Sequence, residues 1–359
     1  MVGNFLKCFN LYLLFSLHTA AQQPDSAEFD YPKIYALALD ADISSVLTLL
    51  HQPNAKPLTE KSRKLKEHFL KRFGYENDQS DYLETRKSRL DDILRVYRDY
   101  WRWSLLNPKS NYDSLLITNL RKLLAEKYAL PTPVSRDSLD FYLKKVVSSA
   151  GYHTTGFGKT GKLYDLPVWK QQYDTTYVFK IKQETIKAPV VFMDDFLTLG
   201  WEEYATLGRN YPGGWATKEA LYAVKKAYNL QSEDFLVSYL AHEGKHFSDY
   251  RAFPKLSGTD LEYRAKLIEL SLARKNLFKI IEFFIKNANA QSSNPHPLAN
   301  YYVIRDLSKP LFGKDFENDI SRWKSVKQKE MNNKAFQLYN KHTEELKKAG
   351  AENVTKFIN

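Results

Sequence analysis

Residues 232–250 read SEDFLVSYLAHEGKHFSDY, and near their centre stands the five-residue pattern HExxH, from His242 to His246. Residues four apart on a helix lie on the same face, one turn above each other, so the two histidines can direct both imidazoles at one metal ion. Glu243 lies about 100° further round the helix, where it can reach a metal-bound water without ligating the metal. The pattern is typical of zinc hydrolases and predicts zinc as the cofactor.

The residues around the motif favour a helix. Ser232 is a candidate N-cap, and Glu233 and Asp234 suit the positive end of the helix dipole. Apolar residues then recur at helical spacing, namely Phe235, Leu236, Tyr239 and Leu240. The motif is therefore expected in the second half of a helix with one buried face. The competing interpretation is a helix whose two histidines are only hydrogen-bonded to their neighbours.

A catalytic zinc site needs a third protein ligand and an open position for water. Asp249 is one candidate, because it shares a helix face with the histidines. On a straight helix it lies about 10 Å along the axis from His242, too far to complete a tetrahedron, so holding a ligand or Arg251 suits it better. Glu262 is the other candidate. It stands at the start of the next predicted helix, after a loop that lets the chain reverse, and can approach the histidines from a second direction.

With HExxH on one helix and Glu262 on the following helix, residues 242–265 resemble the gluzincin class of zincin metallopeptidases. The resemblance implies a zinc ion held by His242, His246 and Glu262. It also implies that Glu243 is the general base, which takes the proton of the attacking water and passes it to the leaving amine. Peptides or proteins are then the expected substrates. No third histidine follows at the metzincin spacing, which excludes that class.

Hydrolysis of an amide also needs a hydrogen-bond donor for the oxyanion. Five residues of the second half can supply one, and the sequence does not distinguish among them: Tyr263, Arg264, His296, Tyr301 and Tyr302. Glu269 is a candidate for supporting a metal ligand, with a solvated surface carboxylate as the alternative.

The first residues, 1–21, predict a secretory signal peptide. Lys7 supplies the positive charge of its short n-region. The mostly apolar stretch from Phe9 to Leu17 follows, and Thr19-Ala20-Ala21 provides a cleavage site of small residues. The apolar run is shorter than the roughly 20 residues of a membrane span. The only cysteine, Cys8, would leave with the signal, so we expect a cysteine-free protein in the periplasm or outside the cell. The alternative is an uncleaved amphipathic N-terminus.

The formal net charge of the chain is +11. Basic residues interleave with acidic ones along the predicted helices, as on a solvated surface, and attraction to anionic lipid headgroups, glycans or an acidic substrate is the second interpretation. No arginine-rich tract, RNP-like motif or helix-turn-helix signature stands out. Together with the predicted export, this argues against nucleic acid as a partner. The sequence gives no indication of the oligomeric state.

Residues 22–150 predict a helical region. Helical periodicity is clearest in four stretches, Lys61–Phe73, Asp81–Leu106, Asp113–Tyr128 and Ser135–Ser149. From residue 151 to 174 the chain is rich in glycine and aromatic residues. Its GFGKTG at 156–161 matches G-x-G-x-x-G in letters only, since it follows a predicted helix and no helix follows it. We interpret it as a connection and a candidate rim of the active site.

The second half of the chain alternates strand and helix signals. Strands are predicted at Thr176–Lys182, Pro189–Met193 and Ala216–Val224, although the composition of the last also allows a helix. Helices are predicted at Asp260–Asn287, Leu298–Leu307 and Arg322–Lys348.

These patterns predict a mostly helical α+β fold. A helical region of residues 22–150 precedes a zincin-like domain, residues 151–359, with a small sheet packed on the HExxH helix. The expected activity is that of an exported zinc metallopeptidase. One alternative is a non-catalytic envelope or surface binding protein that keeps a zincin fold, and another is a zinc hydrolase of a non-peptide amide. The intact Glu243 favours an enzyme, because metal binding alone does not need it.

Overall fold

The computed structural model describes residues 26–80, 82, 88–128, 135, 138–292 and 294–358. The predicted signal peptide at 1–21, with Cys8, lies outside these residues. Among the described residues, no helix combines the length and the apolar character that crossing a membrane would require.

The N-terminal part is mostly helical, as expected, although the helix predicted from Asp81 begins at Asp91 and the one predicted from Ser135 begins at Leu139. Its helices are α1 Tyr31–Leu39, α2 Ile43–His51, α3 Glu60–Phe69, α4 Asp91–Leu106, α5 Asp113–Tyr128 and α6 Leu139–Ser149. A π-helical turn, Leu70–Gly74, extends α3. These helices share one apolar core, and Trp201 and Tyr204, which come later in the chain, are buried in it as well. The helical region is thus packed directly against elements of the second half.

Two sheets follow. Their strands and the short helix between them are β1 Gly158–Thr160, β2 Leu163–Asp165, β3 Val168–Ile181, β4 Glu184–Thr198, α7 Trp201–Ala205, β5 Gly214–Ala216 and β6 Leu221–Val224. The pair β1-β2 is antiparallel, and the four-stranded mixed sheet has the order β3-β4-β6-β5, with β4 and β6 parallel. The first two predicted strands are confirmed, Pro189–Met193 inside β4 and Thr176–Lys182 inside β3 except for Lys182, which lies in the turn. Both strands are longer than the apolar pattern indicated.

The single strand predicted at Ala216–Val224 is wrong in part. A tight turn at residues 217–220 divides it into the end of β5 and the whole of β6, which pair with each other. The hydroxyl of Thr217 accepts hydrogen bonds from the N–H groups of Glu219 and Ala220, at 3.1 Å each. A threonine that bonds the backbone two and three residues on stabilises a turn rather than a strand.

The remaining helices begin with a π-helical segment, Asp234–Ala241, that continues into α8. They are α8 His242–Ala252, α9 Gly258–Leu272, α10 Leu277–Lys286, α11 Pro295–Phe312, α12 Ile320–Ser325 and α13 Gln328–Gly350. Ser232 acts as expected, since its hydroxyl accepts the N–H of Phe235 at 3.2 Å. The predicted helix Arg322–Lys348 is two helices, because the backbone is extended at Val326 and Lys327.

The long helix predicted from Asp260 to Asn287 is also wrong, because α9 ends at Leu272. The carboxylate of Glu233 accepts hydrogen bonds from three successive N–H groups, those of residues 274, 275 and 276, at 2.6, 2.9 and 3.2 Å. These bonds satisfy the N–H groups of the connection just before α10 and fix a break between the two helices. The sequence pattern continues through the break because buried apolar residues stand on both sides of it, Leu270 before it and Leu277 after it.

The four-stranded sheet packs on the HExxH helix, as expected. Ala188, Val190 and Phe192 of β4 share a core with residues of the π-helical segment and α8. The two approach closely at Gly244, where a Cβ would lie 2.3 Å from Cζ of Phe179 on β3. The glycine inside the motif therefore lets the sheet contact the helix that carries both histidines.

This contact can be tested with Gly244→Ala. Alanine favours an isolated helix by about 1 kcal/mol over glycine, yet here the overpacking against Phe179 should lower the free energy of unfolding by about 1–3 kcal/mol. Denaturant unfolding measures the change. Gly158→Ala is the matched control, because a Cβ there meets no atom within 4 Å, and we expect less than about 0.5 kcal/mol. A Gly244→Ala chain as stable as the parent would contradict the packing.

Candidate metal centre

Three buried side chains from two helices converge on one point. His242 and His246, four residues apart on α8, have ring centroids 4.9 Å apart and ring planes at 80°. From α9, Oε2 of Glu262 lies 3.5 Å from Nε2 of His242, and Oε1 lies 3.2 Å from Nε2 of His246. One ligand atom from each residue lies within 4.8 Å of the others. This group can hold a metal ion.

The charges at this point are those that a cation would balance. Burial by itself would lower the pKa of His242, but the carboxylates of Glu262 and Glu269 raise it to about 10. Burial would raise the pKa of Glu262, yet the cationic groups around it, with His296 first, hold that pKa well below its usual range. Oε2 of Glu262 is buried and forms no well-aligned hydrogen bond with any described residue. An ionised carboxylate with an unsatisfied oxygen is suited to ligate a metal.

Glu269 supports one of the ligands. It lies two turns beyond Glu262 on α9, is buried, and places Oε2 3.4 Å from Nδ1 of His242. A carboxylate on that side of the ring orients the imidazole so that Nε2 faces Glu262. The alternative of a solvated surface carboxylate does not describe this residue.

Asp249 has a different role from that of a ligand. Its carboxylate is fully buried and receives two bonds from Arg264, from Nε at 2.7 Å and from the second guanidinium arm at 3.1 Å. Nζ of Lys245 lies 3.1 Å from the same carboxylate. The partner considered from the sequence, Arg251, is not the one found. Asp249 therefore joins α8 to α9 through Arg264. Because the guanidinium of Arg264 donates to Asp249, Arg264 is not a donor for an oxyanion.

A cavity of about 660 Å³ opens beside the three ligands, with Glu243, His246 and Glu262 in its wall. Residues of the GFGKTG stretch, 156 and 158–161, form another part of this wall, in agreement with the expected rim. Residues 214–216, strand β5, contribute as well. Its volume is in the range of small-molecule and peptide sites.

Only one of the five candidate oxyanion donors lines this cavity, and that is His296. Its Nδ1 lies 3.0 Å from Oε2 of Glu262. The hydroxyl of Tyr263 instead donates to Asp306 at 2.9 Å. Tyr301 stacks on Phe316, at 5.6 Å between ring centroids, and the ring of Tyr302 lies against Arg305.

Tyr250 also lines the cavity and did not emerge from the sequence pattern. It stands four residues after His246 and so continues the face that carries both histidines, with its ring 6.3 Å from that of His246. Burial, together with Glu243 and Glu262, raises the pKa of Tyr250. Its hydroxyl therefore stays protonated and can donate a hydrogen bond near the ligands. The spacing 242, 246, 250 was the signal that could have found it.

The roles assigned to Glu262, as a metal ligand, and to Asp249, as a link between helices, can be distinguished by measuring stability and metal affinity together. Glu262→Gln should weaken metal affinity by one to a few orders of magnitude. Asp249→Asn leaves Arg264 buried without its partner and should lower the free energy of unfolding by about 3–5 kcal/mol, with at most about a 10- to 100-fold loss of metal affinity in the folded protein. Denaturant unfolding and competition with a metal indicator give the two quantities.

The matched control is Asp315→Asn, since this carboxylate is 84% exposed in its surface pair with Lys309. It should change neither quantity, because exposed pairs contribute at most about 1 kcal/mol. Loss of the metal from Asp249→Asn with full retention in Glu262→Gln would contradict the assignment of the ligands.

Comparison with known proteins gives no relative for this chain, since no family model, no curated protein and no solved structure matches it. The arrangement of the buried group and of the cavity beside it is therefore the basis for a functional assignment. His242, His246 and Glu262 form that group, and Glu243 lines the cavity next to it.

Proposed function

We propose that this protein is a zinc metallopeptidase with a zincin-like catalytic centre. The observation that carries the proposal is the combination of a buried His242, His246 and Glu262 group with Glu243 in the wall of the adjoining cavity. A site that only stored a metal would have no need of a cavity beside it or of an ionisable side chain facing that cavity.

Zinc suits this set of donors. Zinc binds both imidazole nitrogen, a borderline ligand, and carboxylate oxygen, a hard one, and three protein ligands leave one position of a tetrahedron open. A bound zinc ion would supply Lewis acidity, which makes water nucleophilic near neutral pH and polarises a carbonyl group. His242, His246 and Glu262 would hold it, and Glu269 would orient the ring of His242.

Glu243 is the residue to which we assign proton transfer. It lies in the cavity wall, as His246 does, and its carboxylate has no ion-pair or hydrogen-bond partner among the described side chains. A carboxylate without an ion-pair or hydrogen-bond partner can take a proton from water and release it to the departing amine. His296 and Tyr250 lie in the same wall and can donate hydrogen bonds to the oxygen that becomes negative.

A peptide is the substrate that the surroundings favour. Strand β5 is the last strand of its sheet, and within the described chain its outer edge has no strand partner. Its residues Trp215 and Ala216 line the cavity. An extended peptide can add to such an edge through main-chain hydrogen bonds, which brings a scissile bond past the metal ligands. This edge favours a peptide over a small non-peptide amide.

We also propose that the protein acts in the periplasm or outside the cell. The signal-like sequence at residues 1–21 supports export to the periplasm or the cell exterior. The positive net charge of +11 supports attraction to anionic surfaces or substrates at that location.

Metal analysis of the purified chain tests the ligands. We expect about one zinc per chain after dialysis, and none at stoichiometric level in His242→Ala, because two ligands do not hold zinc as three do. His51→Ala is the matched control, since that histidine is exposed and its one side-chain hydrogen bond among the described residues is to the carbonyl of Leu47. Elemental analysis by mass spectrometry gives the stoichiometry. Full zinc in His242→Ala would refute the site.

Glu243→Gln separates chemistry from binding. The amide keeps the size of the side chain but cannot accept the proton, so we expect retained zinc, unchanged thermal stability and a fall in peptide hydrolysis of about 10²- to 10⁴-fold or more. The assay is cleavage of denatured proteins, followed by mass spectrometry of the products. Glu330→Gln, an exposed carboxylate on α13, should leave the rate unchanged. An active Glu243→Gln chain would show that another group is the base.

A further inference from the structure

The cavity beside the metal ligands has a second acidic wall that the proposed chemistry does not use. Asp165, at the end of β2, and Glu202, in the first turn of α7, both line it. They come from elements that pack on the N-terminal helices, whereas the metal ligands come from α8 and α9. One cavity therefore spans the reacting site and these two carboxyl groups.

The basic side chains of the same wall are already matched with carboxylates. Nζ of Lys159 lies 2.8 Å from Asp113, and the imidazole nitrogens of His246 and His296 face Glu262 at 3.2 and 3.0 Å. Glu202, in contrast, has no ion pair and no side-chain hydrogen bond to any described residue. Burial alone raises the pKa of Glu202 to about 7. The cavity thus presents an uncompensated carboxyl group that a cation would stabilise.

Asp165 anchors the start of α7, the helix that carries Glu202. Its Oδ1 accepts the N–H groups of Leu166 and Trp201, each at 3.0 Å, and so fixes the first residue of α7. The chain folds closely round it: Gly200 has φ of 106°, and a Cβ there would lie 2.4 Å from the carboxylate oxygens. Burial, with a smaller contribution from Glu202, raises the pKa of Asp165 to about 7. The backbone just before Glu202 is thus held in a specific arrangement against Asp165, and both residues line the same cavity.

An organic cation fits this wall better than a second metal ion. Calcium takes about six to eight oxygen ligands, and here Asp165 is already bonded to two backbone N–H groups. An ammonium or guanidinium group needs only a few acceptors and brings an aliphatic stem that apolar surface can cover. Leu199 and Pro167 provide such surface in the same wall.

We propose that Glu202 is a specificity-determining residue that binds the basic side chain of a lysine or arginine in the peptide substrate. This inference rests on the proposed function and names its substrate class. Glu202 forms the ion pair, Asp165 positions Glu202, and the scissile bond of the same peptide lies at His242, His246 and Glu262.

Binding and turnover test the inference separately. Peptides that differ only in lysine against norleucine, all with acetylated N-termini, are titrated by calorimetry into the Glu243→Gln chain, which does not need to cleave them. We expect the lysine peptide to bind about 10- to 100-fold more tightly, as a charge-assisted hydrogen bond allows. Adding Glu202→Gln should remove that difference and leave norleucine binding unchanged. Glu219→Gln, an exposed carboxylate outside the cavity, is the matched control and should preserve it.

Cleavage of the same peptides by the chain with Glu243 intact gives the second measurement. We expect Glu202→Gln to raise KM for the lysine peptide with little change in kcat, and Glu202→Lys to shift preference to a peptide with glutamate at that position. Equal binding of lysine and norleucine peptides, or a lysine preference that survives in Glu202→Gln, overturns the inference even if hydrolysis occurs. Selective binding through Glu202 without any cleavage supports the cation site and refutes the peptidase assignment.

Discussion

The buried ion pair between Asp249 and Arg264 holds together the two helices that carry the ligands. Asp249 stands three residues after His246, and Arg264 stands two residues after Glu262. Arg264 also donates to Tyr339 and Thr343 on α13, at 3.1 and 2.9 Å. The distance between imidazoles and carboxylate therefore depends on a charged contact that water does not reach. Such a pair contributes little net stability, but it fixes the geometry of the two helices, because removing either partner leaves a buried charge uncompensated.

The cavity wall is assembled from parts that are distant in the sequence. The glycine-rich stretch at 156–161, strand β5 and the helix α8 contribute to one space because the N-terminal core takes in α7 and the four-stranded sheet lies against α8. The glycine within HExxH has a part in this, since it removes the side chain that would keep Phe179 away. His242, His246 and Glu262 are thus held rigidly on one side and open to a shaped cavity on the other, which suits the proposed catalysis.

Local spacing accounts for what could be predicted from the sequence. The i, i+4 histidines, the Ser232 cap and the helical periodicity of the N-terminal stretches depend on neighbours within a few residues, and a carboxylate after the loop led to Glu262. The break after Leu272 could not be predicted, since Glu233 produces it from 41 to 43 residues away. The choice of His296 among five donors, and the presence of Glu202 in the cavity, depend on tertiary packing that no local pattern records. Tyr250 could have been predicted, because it stands four residues after His246 on the helix face that carries both histidines.

The contacts of Asp260 have a consequence for folding. This residue lies two positions before Glu262 and accepts the N–H groups of Phe357 and Ile358, whose sequence separations from it are 97 and 98 residues. Loops of that length close slowly, and contacts of high sequence separation are among the last to form. The first turn of α9, which carries Glu262, therefore gains these contacts only when distant parts of the chain have met. On the proposed metal assignment, the two histidines can stand on their helix before Glu262 is fully fixed, and metal binding would then follow late-forming tertiary structure rather than initiate it.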